Sequence, residues 1–354
     1  GGITKPSGFQ TDMPPRVTTS GIEFIEFAAS HEEADALETM LRPLGFRPVS
    51  RHRSKDVTRW KQGPINIIVN CEPEGLAHSF DSMHGASVCA IGVVVDDVPA
   101  ALGRADALRI QRFEQAVAPD EWPIPSVRGV GGSLVYFVDA ATREAMWAHE
   151  FPTVLEAEAP PLLSRIDHVA QTMQYEEFLS WLLFYVGLFD VRKTPQLEIA
   201  DPMGLVQSQA VQTPDRAMRI TLNGSLAAQS LSSRFIQNYF GAGVQHIAFE
   251  TQDIFAVAEQ AKADGLERLD IPHNYYDDQE ARWGLDPALT DRMAAADILY
   301  DRDGEAEYLQ FYSRAFARRV FFEIVERRNY DGYGAVNAPI RLAAQARHKP
   351  EFLD

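Results

Sequence analysis

The chain has 354 residues, 45% of them hydrophobic and 23% charged, which suffices for two domains with a core each and excludes a largely disordered polymer. Its 50 acidic against 33 basic residues give a formal charge of −17, which argues against a nucleic-acid binder; basic groups are confined to short clusters such as residues 51–55. Two cysteines, Cys71 and Cys89, are too few for a disulfide framework or a thiolate-built zinc site and fit a reducing, cytoplasmic-type compartment.

In chain order, the first residues are Gly-Gly rather than Met, which suits a tag scar, a trimmed end or a portion of a longer protein. No secretory leader is expected there, and no apolar run, residues 181–189 included, is long enough to cross a bilayer. The first β-type run is Gly21-Ile22-Glu23-Phe24-Ile25-Glu26-Phe27. It passes directly into helical spacing, and short strands such as Ile65-Asn66-Ile67-Ile68-Val69 follow. The same order restarts at Ser87-Val88-Cys89-Ala90-Ile91, at Arg165-Ile166-Asp167-His168-Val169-Ala170 and at Gly243-Val244-Gln245-His246-Ile247-Ala248. Asp97 and Asp253 stand where they can cap the helices after the second and fourth openings. A Pro-, Glu- and Ala-rich stretch at residues 151–163 reads as a linker. The predicted fold class is therefore α+β, with four βαβββ modules paired into two open barrels. One barrel covers residues 18–150 and the other residues 164–346, with helices outside and the concave faces free for a ligand.

Two of the four openings repeat the order aliphatic, polar, His, aliphatic, Ala, around His168 and His246. Alternation along a strand puts each His on the face of the aliphatic residue two before it and the Ala two after it, an inward face. Glu323 intrudes likewise into Val320-Phe321-Phe322-Glu323-Ile324-Val325, where an unpaired carboxylate would cost several kcal/mol and so needs a cation or a proton. A lone His on an apolar strand is more often a satisfied core residue, and a lone Glu can pair with an arginine such as Arg318 or Arg319. The first half is the control: Phe24 stands opposite His168, Ala90 opposite His246, and residues 134–138 offer no carboxylate. Two His and one carboxylate with three positions open form the facial triad of iron(II) oxygenases, while zinc stays chemically possible. The seven other histidines (His31, His52, His78, His84, His149, His273 and His348) read as surface or loop residues.

The segments quoted above, together with His84-Gly85-Ala86-Ser87, Asn274-Tyr275-Tyr276, Leu309-Gln310, Phe321-Phe322-Glu323 and Gly332-Tyr333-Gly334, resemble the 4-hydroxyphenylpyruvate dioxygenase family, within the vicinal-oxygen-chelate superfamily. The resemblance covers nearly the whole chain. It implies iron(II) on His168, His246 and Glu323, and O2 as co-substrate. The implied reaction oxidatively decarboxylates and hydroxylates 4-hydroxyphenylpyruvate, to homogentisate, or a related aromatic 2-oxo acid. It also implies catalytic or positioning roles for Gln245 and Gln310, substrate-pocket roles for Ser208, Asn223, Phe321, Tyr333 and Asn337, a closing C-terminal helix after Gly334, and a homo-oligomer. The departures are Leu231, Tyr312 and Ala338, where the family usually carries a glutamine, another aromatic residue and a lid phenylalanine; they bear on the substrate rather than the metal. Asn274-Tyr275-Tyr276-Asp277-Asp278, Leu299-Tyr300-Asp301-Arg302-Asp303 and Arg341-Leu342-Ala343-Ala344 are similar to the dioxygenase-like half of bacterial 3-dehydroshikimate dehydratase fusions. That similarity admits a different catechol- or shikimate-derived acid at the same metal, or a domain that only binds.

Overall fold

The computed structural model describes residues 13–115, 117–201, 204–226, 241–317 and 320–348. Leu231, Arg318 and Arg319 lie outside the described residues. The first half contains β1 (Thr19–Ala28), α1 (His31–Leu41), β2 (Arg47–Arg51), β3 (Val57–Gln62), β4 (Ile65–Asn70), α2 (Leu76–His84), β5 (Ser87–Val95), α3 (Val98–Ala107), β6 (Arg112–Phe113), β7 (Ser126–Arg128), β8 (Leu134–Asp139), α4 (Arg143–Glu150) and β9 (Thr153–Val154). The second half contains β10 (Arg165–Gln174), α5 (Tyr175–Leu188), β11 (Arg192–Lys193), β12 (Leu197–Asp201), β13 (Gly204–Gln212), β14 (Arg219–Ser225), β15 (Gly243–Glu250), α6 (Ile254–Ala263), α7 (His273–Trp283), α8 (Pro287–Ala295), β16 (Leu299–Asp303), β17 (Ala306–Tyr312), β18 (Phe321–Arg328) and α9 (Ala338–Arg347).

Each half builds one nine-stranded sheet, and in both the two module-opening strands pair antiparallel at the centre, β1 with β5 and β10 with β15. The last strand of each module then adds in parallel: β4 beside β1, β8 beside β5, β14 beside β10 and β18 beside β15. The curled, helix-backed sheets are those of two vicinal-oxygen-chelate units. Helices start where the sequence offers an acceptor, Asp97 taking the Ala100 N–H and Asp253 that of Ala256. The stretch read as a linker is partly a strand: β9 pairs with β2 and closes the edge of the first sheet.

The aromatic contacts Phe46–Phe249 (5.3 Å) and Phe27–Phe322 (6.3 Å) join the halves within one main core, and smaller clusters such as that of Phe24, Met146 and Trp147 stand apart from it. Two histidines depart from the surface reading. His84 is buried on α2 against Phe80, and the His52 imidazole is buried against Glu150, its Nε2 2.7 Å from Oε2. A neighbouring ring and a carboxylate respectively make these interiors tolerable for imidazole.

Candidate metal centre

His168, His246 and Glu323 lie on β10, β15 and β18, three adjacent central strands. Register brings them together: His168 faces Ala248, Ala248 faces Glu323, and His246 faces Phe321. Their side chains share one face, and one ligand atom from each lies within 4.8 Å of the others. Glu323 Oε2 is 3.1 Å from His168 Nε2 and 3.2 Å from His246 Nε2. All three are buried, at 2%, 7% and 2% exposure.

The atoms around this point are already committed. His168 Nδ1–H donates to Asp167 Oδ2 at 2.7 Å, and His246 Nδ1–H donates to Gln245 Oε1 at 3.2 Å. Both rings therefore turn a lone pair on Nε2 inward. Glu323 Oε1 accepts from Gln310 Nε2 at 2.8 Å and from the Tyr308 hydroxyl at 3.3 Å, so Oε2 is the oxygen left over. Three lone-pair donors facing one buried point repel unless a cation sits among them, and two imidazoles with one carboxylate suit a divalent metal of the iron or zinc kind. On this donor chemistry the residues fit such an ion.

In the metal-free site a proton on His168 Nε2, facing Glu323 Oε2 at 3.1 Å, takes the place of that cation. Burial alone would raise Glu323, but the two imidazoles hold it well below the usual carboxylate range. Burial pushes His246 down to about 4, with the His168 and Arg341 charges acting in the same direction. Burial also opposes charge on His168, yet Glu323 and Asp167 outweigh it and raise that imidazole.

Two β-bulges explain how consecutive residues reach one site. In the pairing of β10 with β15, Asp167 has no partner between Ile166 and His168, and Gln245 has none between Val244 and His246. Each bulge inserts the residue before a ligand, breaking the alternation that would turn it to the far face. The sequence reading missed the role of Asp167 for that reason. Its Oδ1 accepts from Arg327 Nε (2.7 Å) and Arg219 Nη1 (3.2 Å) and its Oδ2 from Arg327 Nη2 (2.9 Å). Burial opposes its charge, but the His168 hydrogen bond and the Arg327 cation hold it well below the usual carboxylate range. Its adjacency to His168 was the available signal: an Asp in an apolar strand is as anomalous as Glu323.

The remaining expected residues divide into two groups. Phe321 stacks on His246 at 4.8 Å, and Tyr333 meets His168 edge-on at 5.0 Å while donating to Gln212. Ser208 and Asn223 are half-buried neighbours across β13 and β14, and Asn223 lines a cleft with Thr172, Gln245 and Arg341. Gln310 and Asn337 instead sit behind Glu323, at 0% and 1% exposure. Asn337 Nδ2 donates to Gln310 Oε1 at 3.2 Å, and the Tyr275 hydroxyl donates to Asn337 Oδ1 at 2.9 Å. Tyr312 accepts from Gln310 Nε2 at 2.6 Å, and Ala338 opens α9.

The first half carries the same bulges without the donors. Glu23 and Cys89 are the unpaired residues at the corresponding bulges, with a further irregularity at Ser20; Phe24 faces Gly92, Gly92 faces Tyr136, and Ala90 faces Glu26. Phe24, Ala90 and Tyr136 thus occupy the places of His168, His246 and Glu323. Rings fill the space, Phe24 lying 5.7 Å from Tyr136 and 5.9 Å from Trp147.

Fold and donor set together define a vicinal-oxygen-chelate protein with a three-residue site in its second half. The family profile described as "Hydroxyphenylpyruvate dioxygenase, HPPD, N-terminal" matches residues 14–151. A 4-hydroxyphenylpyruvate dioxygenase of Pseudomonas sp. is 31% identical over 90% of this chain and 91% of its own length. The chain belongs to the 4-hydroxyphenylpyruvate dioxygenase family. A 3-dehydroshikimate dehydratase of Pseudomonas aeruginosa is 42% identical over 94% of this chain but only 53% of its own length. A solved fusion of a xylose isomerase-like TIM barrel with 4-hydroxyphenylpyruvate dioxygenase is 38% identical, with a TM-score of 0.86 over 98% of this chain and 55% of that one. The chain thus spans about half the length of these two relatives. Among the described residues no helix is long and apolar enough to cross a membrane.

Proposed function

We propose that residues 164–346 form an iron(II)-dependent dioxygenase centre held by His168, His246 and Glu323, acting on 4-hydroxyphenylpyruvate or a related aromatic 2-oxo acid. Residues 18–150 are a copy of the same architecture that carries Phe24, Ala90 and Tyr136 in place of the three donors. The observation that carries this reading is the convergence of two imidazole lone pairs and one carboxylate oxygen whose other polar atoms are all engaged. Iron(II) bound there supplies open positions at which a 2-oxo acid and O2 react, with loss of CO2 and oxygenation of the remainder.

The chain's own residues do the rest. Asp167 and Gln245 fix the two rings in the tautomer that presents Nε2. Gln310 and Tyr308 hold Glu323 so that a single oxygen points inward. Phe321 and Tyr333 wall the site with aromatic faces, which exclude water and orient a ring. Asn223 and Gln245 offer amide groups to the substrate's polar substituents.

The test is anaerobic reconstitution with iron(II), then oxygen consumption with and without 4-hydroxyphenylpyruvate, comparing wild type with His246→Ala. Stoichiometric uptake with homogentisate formed, abolished in the variant, is the expected result. Iron binding without uptake would discard that substrate and keep the centre. The length and identity of the dehydratase relative favour a second reading, the same centre acting on a catechol- or shikimate-derived acid, and a panel of such acids in the oxygen assay separates the two. Iron bound with no uptake on any acid would reduce the unit to a binding domain.

A further inference from the structure

Arg341, on α9, is only 8% exposed. Among the described residues no carboxylate pairs with it; Nη1 donates to Gln345 Oε1 at 3.1 Å, one turn along its own helix. The other two buried arginines each reach an aspartate, Arg219 at Asp167 and Arg268 at Asp297. A guanidinium kept from water without an anion is unfavourable unless a ligand completes it.

Its position says which ligand. Arg341 lines the cleft shared with Thr172, Asn223 and Gln245. Its guanidinium carbon is 5.4 Å from the centre of the Phe321 ring and 5.8 Å from that of Tyr312. Phe321 stacks in turn on His246, so the cation stands one aromatic ring beyond a metal ligand. The Thr172 hydroxyl, in the same cleft, is buried without a hydrogen-bond partner. A cation without a carboxylate partner among the described residues and an unpaired hydroxyl thus line one cleft, with Gln245, the residue before the ligand His246, on its wall.

We propose that Arg341 recognises an anionic group at the end of the substrate remote from the metal, so that the preferred substrate is a dianion: one acid function toward His168, His246 and Glu323, a second at Arg341. This rests on the reading of the metal centre given above and narrows its substrate class. Guanidinium meets a carboxylate through two parallel N–H donors, which gives direction as well as charge.

The experiment titrates phenylpyruvate and 4-carboxyphenylpyruvate into the full chain under anaerobic iron(II), following binding by calorimetry and iron content by chelator assay. Wild type, Arg341→Met, Arg341→Lys and His246→Ala are compared. Wild type is expected to bind the 4-carboxy compound about tenfold to a hundredfold tighter, the usual range for a charge-assisted hydrogen bond. Arg341→Met should bring the two affinities within about twofold by weakening only the dianion, with iron content unchanged. Arg341→Lys, which keeps the charge if the methionine variant does not fold, should retain an intermediate preference. Equal affinities in wild type, or a preference that survives Arg341→Met, would overturn the proposal. His246→Ala separates the underlying reading: loss of both ligands supports the metal centre, whereas unchanged binding overturns it and leaves the Arg341→Met ratio to decide the arginine by itself.

Discussion

Replacing Asp167 by asparagine keeps the side chain's size and removes one charge from the most connected carboxylate behind the metal centre. Asp167 accepts from His168 Nδ1 (2.7 Å), Arg327 Nε (2.7 Å) and Nη2 (2.9 Å), and Arg219 Nη1 (3.2 Å). Asparagine has one acceptor oxygen, so its NH2 must face a donor, either the imidazole or a guanidinium. Removing one partner of a buried ion pair costs about 3–5 kcal/mol. Arg327 keeps the carbonyls of Tyr330 (2.9 Å) and Gly332 (2.7 Å), which places the loss for the metal-free protein near the lower end of that range, about 3 kcal/mol. His168 loses the acceptor that fixes its tautomer, and iron should bind roughly 10–100-fold more weakly. Urea denaturation of the metal-free protein reads the first effect, and competition with a chelator of known affinity reads the second. Iron affinity within twofold of wild type, with an unchanged denaturation midpoint, would refute the reasoning.

Two further perturbations test one close approach beside the site and one carboxylate pair in the first half. Gly334 sits at φ 62°, and a Cβ there would come 2.4 Å from Gln310 Oε1 and 2.9 Å from the Tyr308 ring, so Gly334→Ala should cost about 1–3 kcal/mol in urea denaturation and weaken iron binding by displacing both groups from Glu323. A variant as stable as wild type would contradict that close approach. In the first half, burial and the neighbouring Glu33 carboxylate raise Asp81 to about 7, while hydrogen bonds hold Glu33 below its ordinary value. A folded-state pKa above the unfolded value of 3.8 means that this stability is complete below pH 3.8 and disappears as pH rises through about 7. Asp81→Asn, which mimics the protonated form, should therefore raise the thermal midpoint at pH 8.5 and change it little at pH 4; equal shifts at both pH values would rule out the shared proton.

The strand openings of all four modules were legible as short apolar runs passing directly into helical spacing, and the strands they form are buried along most of their length. His168, His246 and Glu323 stood out because polar groups on inward faces are costly, and because the first half offers Phe24, Ala90 and no carboxylate over residues 134–138 in their places; the structure puts Tyr136 at the third. Gln310 and Asn337 were found by resemblance, but their positions behind Glu323, with no exposed surface to spare, depend on β17 and the segment before α9 packing together. His84 was misread, and His52, a loop residue as expected, has its ring buried, because a lone histidine carries no periodicity that distinguishes a surface from an interior.

The sequence by itself determined the repeat, the strand faces and the three donors, all of which follow from local alternation and from comparing one half with the other. Tertiary structure alone decided what surrounds those donors. Bulges at Asp167 and Gln245 turn residues inward that strict alternation would face outward, and a bulge appears only when two strands pair. The partners of Asp167 come from positions 219 and 327, and the cation facing the cleft comes from position 341 on the last described helix. Such contacts join residues 52 to 160 positions apart, and their energy is realised only when folding has removed them from water together.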